Sequence, residues 1–164
     1  MQISSFRDMY IAELQELLSV ESQLVRSLPG LAEIAAHPEL KDALRQHFTE
    51  TRAQKARLEA MLRQHGADPK AHADQAMQAL LAETVKMLKI LDIDEMRDAG
   101  LIASAQKLEH YEIAAYGTAA ALAGQLDLRD DQRILHQTLD EERAADAKPT
   151  EIAKRQINAR AVAA

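Results

Sequence analysis

Apolar residues recur every three or four positions through four long stretches of this chain, and this spacing limits its possible folds. The stretches span about residues 5–37, 38–65, 94–125 and 129–149. Such spacing places the apolar side chains on one face of an α-helix. Ala, Leu, Glu, Gln and Arg dominate the composition, and these residues favour helices. With only 5 Gly and 4 Pro in 164 residues, the sequence predicts an all-α protein with a single domain over residues 1–164.

Short local signals indicate where these helices begin and end. Ser5 followed by Asp8 predicts an N-terminal capping pair for the first helix. Pro38 suits the first turn of the second helix, since its missing N–H is not needed there. Gly66 suits the C-terminal cap of the same helix. These local signals therefore predict the start of the first long helix and both ends of the second.

The connection between the second and third long helices decides the topology. About 25 residues lie between Gly66 and Leu91, too many for the short loop of an up-down-up-down bundle. A helical pattern over about residues 73–91 fills this connection. We also expect Pro149 to interrupt the fourth long helix, before a short C-terminal helix over about residues 151–158 and a frayed end. The predicted fold is a ferritin-like four-helix bundle with a long crossover that contains a short helix, plus a short C-terminal helix.

Acidic residues occur on the apolar faces of all four long helices. They are Glu21, Glu50, Glu109, Glu112, Glu142 and Asp146. Glu50 has Gln54 one turn further on, which adds another oxygen donor on that helix. A buried carboxylate is very costly unless it is paired with a cation. The matched positions on four helices therefore predict a site for two metal ions.

The residue types at these positions narrow the choice of metal. Di-iron bundles of the common type carry Glu-x-x-His on two helices, but Ala53 and Ala145 occupy those histidine positions here. The ligands would be nearly all oxygen, which suits hard cations such as Fe(III), Mn(II), Mg(II) or Ca(II). His47 either orients Glu50 or is an ordinary residue of a helix interface. The alternative is a redox-silent or metal-free bundle whose acids are solvated or ion-paired and which acts as a dimerisation or interaction module.

Charge and composition argue against several other classes of protein. The net charge is −6, aromatic residues make up 3% of the chain and Trp is absent, so we expect no nucleic-acid partner. No uninterrupted apolar run reaches the roughly 18 residues of a membrane helix. The chain has no Cys, which excludes a disulfide framework and cysteine-bound metal clusters. Without a recognisable signal peptide, we expect a cytoplasmic protein.

Four blocks of the sequence resemble the YciF/YciE-type ferritin-like family. They are residues 21–24, 47–59, 96–118 and 138–146. The similarity covers nearly the whole chain, and the third block is long and specific. It implies a bundle with a dinuclear centre of iron, or alternatively manganese, and often a homodimer. It further implies a bacterial, stress-associated protein that binds or oxidises iron, or handles O₂ or peroxide, with no redox partner or catalytic residue assigned.

The resemblance also implies which residues would bind the two ions. Carried over position by position, the metal ligands would be Glu21, Glu50, Glu109, Glu112 and Glu142, with Gln54 and Asp146 as close or additional ligands. Two residues depart from the family pattern, Pro149 where Leu is usual and Leu18 where Tyr is common. Glu141 adjoins Glu142, so a shift of one residue would exchange these two.

Overall fold

The computed structural model describes residues 3–164, and its regular elements in that range are all helical. The helices are α1 (Phe6–Ile34), α2 (Pro38–Gln64), α3 (Gln75–Lys89), α4 (Asp94–Gln125), α5 (Arg129–Ile152) and α6 (Asn158–Ala163), with a π-helical segment (Ala153–Ile157) between α5 and α6. The all-α prediction is therefore confirmed. No helix among these residues is both long and apolar enough to cross a membrane.

Several helix ends follow the local sequence signals. The Asp8 N–H donates to the Ser5 hydroxyl at 3.1 Å, and the Ser5 N–H donates to the Asp8 carboxylate at 2.9 Å. These reciprocal bonds satisfy donors that the first turn of α1 would otherwise leave free. Gly66 ends α2 with a φ of 65°, a conformation that glycine adopts without the steric cost of a Cβ. Asp74 caps α3 by accepting from the Met77 N–H at 2.6 Å.

The prediction that Pro149 interrupts the fourth long helix is wrong. Helix α5 continues through this residue to Ile152, and the chain then passes through the π-helical segment into α6, which reaches Ala163. A short C-terminal helix is present, as predicted, but it is α6 over Asn158–Ala163 and not residues 151–158, and the predicted frayed end is helical as far as Ala163. Ile152 and Ile157 are both 2% exposed and pack into the core. This burial offsets the cost of a proline within a helix, about 3 kcal/mol.

The four long helices pack as two hairpins joined by the crossover. Helix α1 packs against α2 and helix α4 against α5, while α1 also contacts α4 and α2 contacts α5. Helix α3 lies on α4 and α1. It is fixed there through Asp74, which accepts from the Tyr111 hydroxyl and whose carbonyl accepts from the Gln23 amide at 2.8 Å. The predicted ferritin-like bundle with a helix in its crossover is confirmed.

Polar residues divide the apolar interior into two halves. One half, here called the α3 core, includes Leu24, Leu44, Met77, Leu101 and Ile152. The other, the Tyr10 core, includes Tyr10, Leu14, Leu58, Tyr116 and Leu135. Along each long helix the chain passes from one core to the other through buried polar residues near its middle. The candidate functional residues therefore form a polar layer across the centre of the bundle.

Candidate metal centre

Four buried side chains from three helices converge in this polar layer. They are His47 on α2, Glu109 and Glu112 on α4, and Glu142 on α5. One potential donor atom from each lies within 4.8 Å of those of the other three. Glu112 and Glu142 are fully buried, and the other two are at most 6% exposed. Three of the sequence-predicted ligands therefore lie together, and a histidine joins them.

His47 contributes a neutral imidazole to this group. Its Nε2 lies 3.1 Å from Oε1 of Glu109. Burial lowers the pKa of His47 to about 4, so the ring is uncharged and this close contact is not an ion pair. The other ring nitrogen, Nδ1, has no hydrogen-bond partner. Neutral imidazole is the form of histidine that binds metal ions, which makes His47 a candidate ligand.

Glu21 and Gln54 border the group and are held by neighbouring side chains. Glu21 is fully buried and accepts a hydrogen bond from the Tyr116 hydroxyl. Gln54 is 1% exposed, and its amide donates to Glu142. Both interactions leave an oxygen free, Oε2 of Glu21 and Oε1 of Gln54. The polar layer thereby extends to α1, as the sequence predicts.

Glu50 and Asp146 lie at the edge of the layer, outside the group of four. Both side chains are only partly buried. Glu50 accepts a hydrogen bond from the Gln46 amide at 2.8 Å. Oδ1 of Asp146 lies 3.4 Å from Nδ1 of His110 but has no hydrogen-bond partner. The structure thus separates these two acids from the fully buried ones.

The structure also distinguishes the neighbouring residues Glu141 and Glu142. The Arg57 guanidinium donates to both oxygens of Glu141 at 2.7 and 2.8 Å. Burial opposes ionisation of Glu141, but the hydrogen bonds from Arg57 and Gln137 outweigh it and lower the pKa of that carboxyl. Glu142 points into the polar layer instead. Glu142, and not its neighbour, is therefore the interior acid of α5.

The buried carboxyls carry strongly perturbed acidities. Burial, followed by repulsion from Glu142, raises the pKa of Glu21, Glu109 and Glu112 well above the ordinary value. Burial is also the main cause that raises the pKa of Glu142 to about 7. Packed carboxyl groups with no buried cation must retain protons to avoid like-charge repulsion. A bound cation would reverse this, because metal binding requires the ionised form.

Unsatisfied polar atoms give a direct test of whether metal ions fit here. Buried atoms in the layer without a hydrogen-bond partner are Glu21 Oε2, His47 Nδ1, Gln54 Oε1, Glu109 Oε2, both oxygens of Glu112, and Glu142 Oε2. Most buried polar atoms in native proteins have a partner. All seven atoms here can donate an electron pair to a cation. The residues present therefore fit a metal site.

Sequence reasoning did not place His47 among the ligands, although the pattern contains a signal for it. His47, Thr51, Gln54 and Leu58 recur at helical spacing and are all buried. Glu50 falls to one side of this stripe. The signal was the position of His47 on the inner stripe and not its distance from Glu50. The imidazole adds one nitrogen to six candidate oxygen donors, so the predicted donor set remains nearly all oxygen.

Comparisons with known proteins agree with the fold and the topology. The chain is 38% identical to protein YciF of Escherichia coli K12 over 162 residues, which are 98% of each protein. The crystal structure of that E. coli stress protein matches with a TM-score of 0.90, covering 95% of this chain and 99% of the other. YcfI from Rhodopseudomonas palustris matches with a TM-score of 0.88 at 32% identity, covering 91% and 95%.

A more distant structure and a family model complete the comparison. A protein from Xanthomonas campestris matches with a TM-score of 0.73 at 20% identity, covering 92% of each chain, and this similarity concerns the fold alone. The family model described as a domain of unknown function, DUF892, matches residues 5–162. The chain therefore belongs to the DUF892 family and shares the ferritin-like bundle of YciF.

Proposed function

We propose that this protein binds two metal ions, iron in the cell, within the polar layer of its bundle. The observation that carries the proposal is the set of buried, unpartnered donor atoms around His47, Glu109, Glu112 and Glu142. Leaving such atoms unpaired costs about 1–3 kcal/mol each. A cation among them would satisfy several at once, which is why this arrangement supports a metal site over an ordinary core.

The charge of the layer supports two ions. Four glutamates in the layer, Glu21, Glu109, Glu112 and Glu142, are at most 4% exposed. When ionised, they carry four negative charges, which two divalent cations would balance. Buried charges are tolerated only when they are compensated in this way. We propose His47 and Gln54 as further donors, with Glu50 and Asp146 available at the edge.

The chain's own residues would define the surroundings of the ions. Tyr116 holds Glu21 and Gln54 holds Glu142, so two carboxylates are oriented before any ion arrives. The α3 core and the Tyr10 core lie on either side and exclude bulk water. Iron bound there would supply one-electron redox chemistry toward O₂ or peroxide. The description of the E. coli relative as a stress protein supports a role in handling iron and oxidants under stress.

Counting metal ions tests the proposal directly. Metal-free protein is titrated with Fe(II) without oxygen, and bound iron per chain is measured by mass spectrometry. We expect two ions per chain in the wild type and the loss of at least one in Glu142→Ala. Glu141→Ala is the matched control and should keep both ions, because Glu141 faces Arg57 and not the layer.

Two outcomes would contradict parts of the proposal. Less than one ion per chain in the wild type would refute the dinuclear site and leave a metal-free bundle as the better description. Two bound ions without any consumption of O₂ or peroxide would retain the site and refute the redox role. Loading with Mn(II) in place of Fe(II) separates metal binding from redox activity. Mn(II) tests binding by the same ligands but is oxidised much more slowly.

A further inference from the structure

A small cavity connects the candidate metal centre with the protein surface. It lies between α2, α4 and α5, has a volume of about 140 Å³, and touches His47 and Glu109. Both residues are nearly buried, whereas Gln46 and Lys148 on the same cavity are exposed. Four other cavities, in different parts of the described chain, are lined by none of the buried donors. This cavity therefore extends from the solvent-exposed surface to the polar layer.

The width of the cavity is set by small side chains. Ala43, Ala105, Ala144 and Ala145 contribute to its wall. Sites for drug-sized ligands usually have volumes of 300–1,000 Å³, well above the 140 Å³ found here. A few water molecules or a small ion would fit, and larger organic molecules would not.

Three side chains link α5 to α2 at the outer side of the cavity. The Lys148 ammonium donates to Oε1 of Gln46 at 2.6 Å, and the Gln46 amide donates to Oε1 of Glu50 at 2.8 Å. Both hydrogen bonds are exposed to solvent. Exposed polar contacts between long side chains contribute little free energy. This link, here called the Lys148 clasp, can therefore open at small cost while the helices stay in place.

We propose that this cavity is the route by which ions and small molecules reach the metal centre, and that the Lys148 clasp controls their passage. The inference rests on the proposed metal site. Lys148 places a positive charge at the mouth, and Gln46 hydrogen-bonds both Lys148 and the Glu50 carboxylate that lines the same cavity. The Lys148 charge offsets the attraction of Glu50 for approaching cations but has little effect on neutral molecules. The clasp should therefore slow the uptake of metal ions specifically.

The rate of Co(II) uptake by metal-free protein tests this route. Co(II) is followed by its ligand-field absorption after rapid mixing, and its release is followed after addition of a chelator. Lys148→Met removes the charge and opens the clasp, and it should speed Co(II) uptake on the order of tenfold at low salt. The acceleration should shrink as salt screens the charge. Ala145→Phe narrows the cavity and should slow both uptake and release.

Matched variants separate the route from general effects of charge. Lys89→Met removes the same charge from an exposed position on α3, away from the cavity, and should load at the wild-type rate. Lys148→Arg keeps the charge and should also load at a rate close to that of the wild type. The final number of bound Co(II) ions should be the same in all four variants. Circular dichroism confirms that each variant is folded before its rate is compared.

The outcomes distinguish the route from the metal site itself. Wild-type protein that binds two Co(II) ions, with unchanged rates in both Lys148→Met and Ala145→Phe, would overturn the route and leave the metal centre intact. Should Ala145→Phe fail to fold, Ala145→Leu replaces it, because this change narrows the same wall by less. Gln46→Ala separately opens the clasp without adding volume. An unchanged rate in Gln46→Ala and Lys148→Met would then refute control by the clasp. Wild-type protein that binds no Co(II) would refute both the site and its route.

Discussion

Replacing Glu142 with glutamine should stabilise the metal-free protein, and the gain should increase with pH. Glu142 is fully buried, and burial is the main cause that raises its pKa from 4.5 to about 7. In the unfolded chain the same carboxyl ionises near its ordinary value. The folded state therefore binds this proton more tightly, so its stabilising effect is complete below about pH 4.5 and is lost as the pH rises through 7.

The size of this effect follows from proton linkage. A folded pKa of about 7 against an ordinary value of 4.5 lowers the free energy of unfolding of the wild type by roughly 3 kcal/mol between low and high pH. About 2–3 kcal/mol of this loss develops between pH 5 and pH 8. Glutamine resembles the protonated acid in shape and does not ionise. Glu142→Gln should therefore match the wild type within about 1 kcal/mol at pH 5 and exceed its free energy of unfolding by about 2–3 kcal/mol at pH 8.

Urea denaturation of metal-free protein, followed by circular dichroism at several pH values, measures this difference. Glu141→Gln is the control, because ion pairing with Arg57 lowers the pKa of Glu141. The effect of Glu141→Gln should therefore be opposite to that of Glu142→Gln. It should lower the free energy of unfolding by up to about 1 kcal/mol at neutral pH. An equal free energy of unfolding for Glu142→Gln and the wild type at pH 8 would show that this carboxyl ionises freely and would refute the reasoning.

Three further substitutions test other features. His47→Ala should weaken Mn(II) binding at least tenfold in a chelator competition, and unchanged affinity would remove the imidazole from the ligand set. Tyr10→Phe should lower the free energy of unfolding by about 1–3 kcal/mol, because the Tyr10 hydroxyl donates to Asp131 at 2.7 Å within the core. No loss in urea denaturation would mean that water replaces this bond. Asp98→Ala should cost a similar 1–3 kcal/mol, since its carboxylate accepts two backbone N–H groups before α2 at 2.9 Å. A thermal melt equal to that of the wild type would contradict that role.

The long helices could be predicted because their signals are local. Capping residues, apolar spacing and a crossover too long for a loop together define the bundle. The region after Pro149 could not be predicted in this way. Judged from its neighbours in sequence alone, a proline predicts the end of a helix. The burial of Ile152 and Ile157 against distant helices keeps the chain helical instead. Tertiary packing outweighs a local signal at this point.

The candidate site could be predicted in part, for a related reason. Helical spacing identified which acids face inward, and Glu109, Glu112 and Glu142 do lie together. Spacing does not fix the rotation of a helix closely enough to separate a fully buried residue from one at the edge. Glu50 and His47 differ by three positions, and the structure places the histidine inside and the acid at the edge.

The polar layer has a consequence for how the protein unfolds. The α3 core and the Tyr10 core each contain segments of all four long helices, so each half is a small cooperative unit joined to the other by continuous backbone. Without metal, the carboxyls of the layer between them must keep protons or repel one another, and seven buried polar atoms there have no hydrogen-bond partner. Backbone amides in the middle of the helices should then exchange with solvent faster than those toward either end, the reverse of ordinary helix fraying. Bound ions would connect the four long helices at this level and restore the usual pattern, with the slowest exchange at the centre of the bundle.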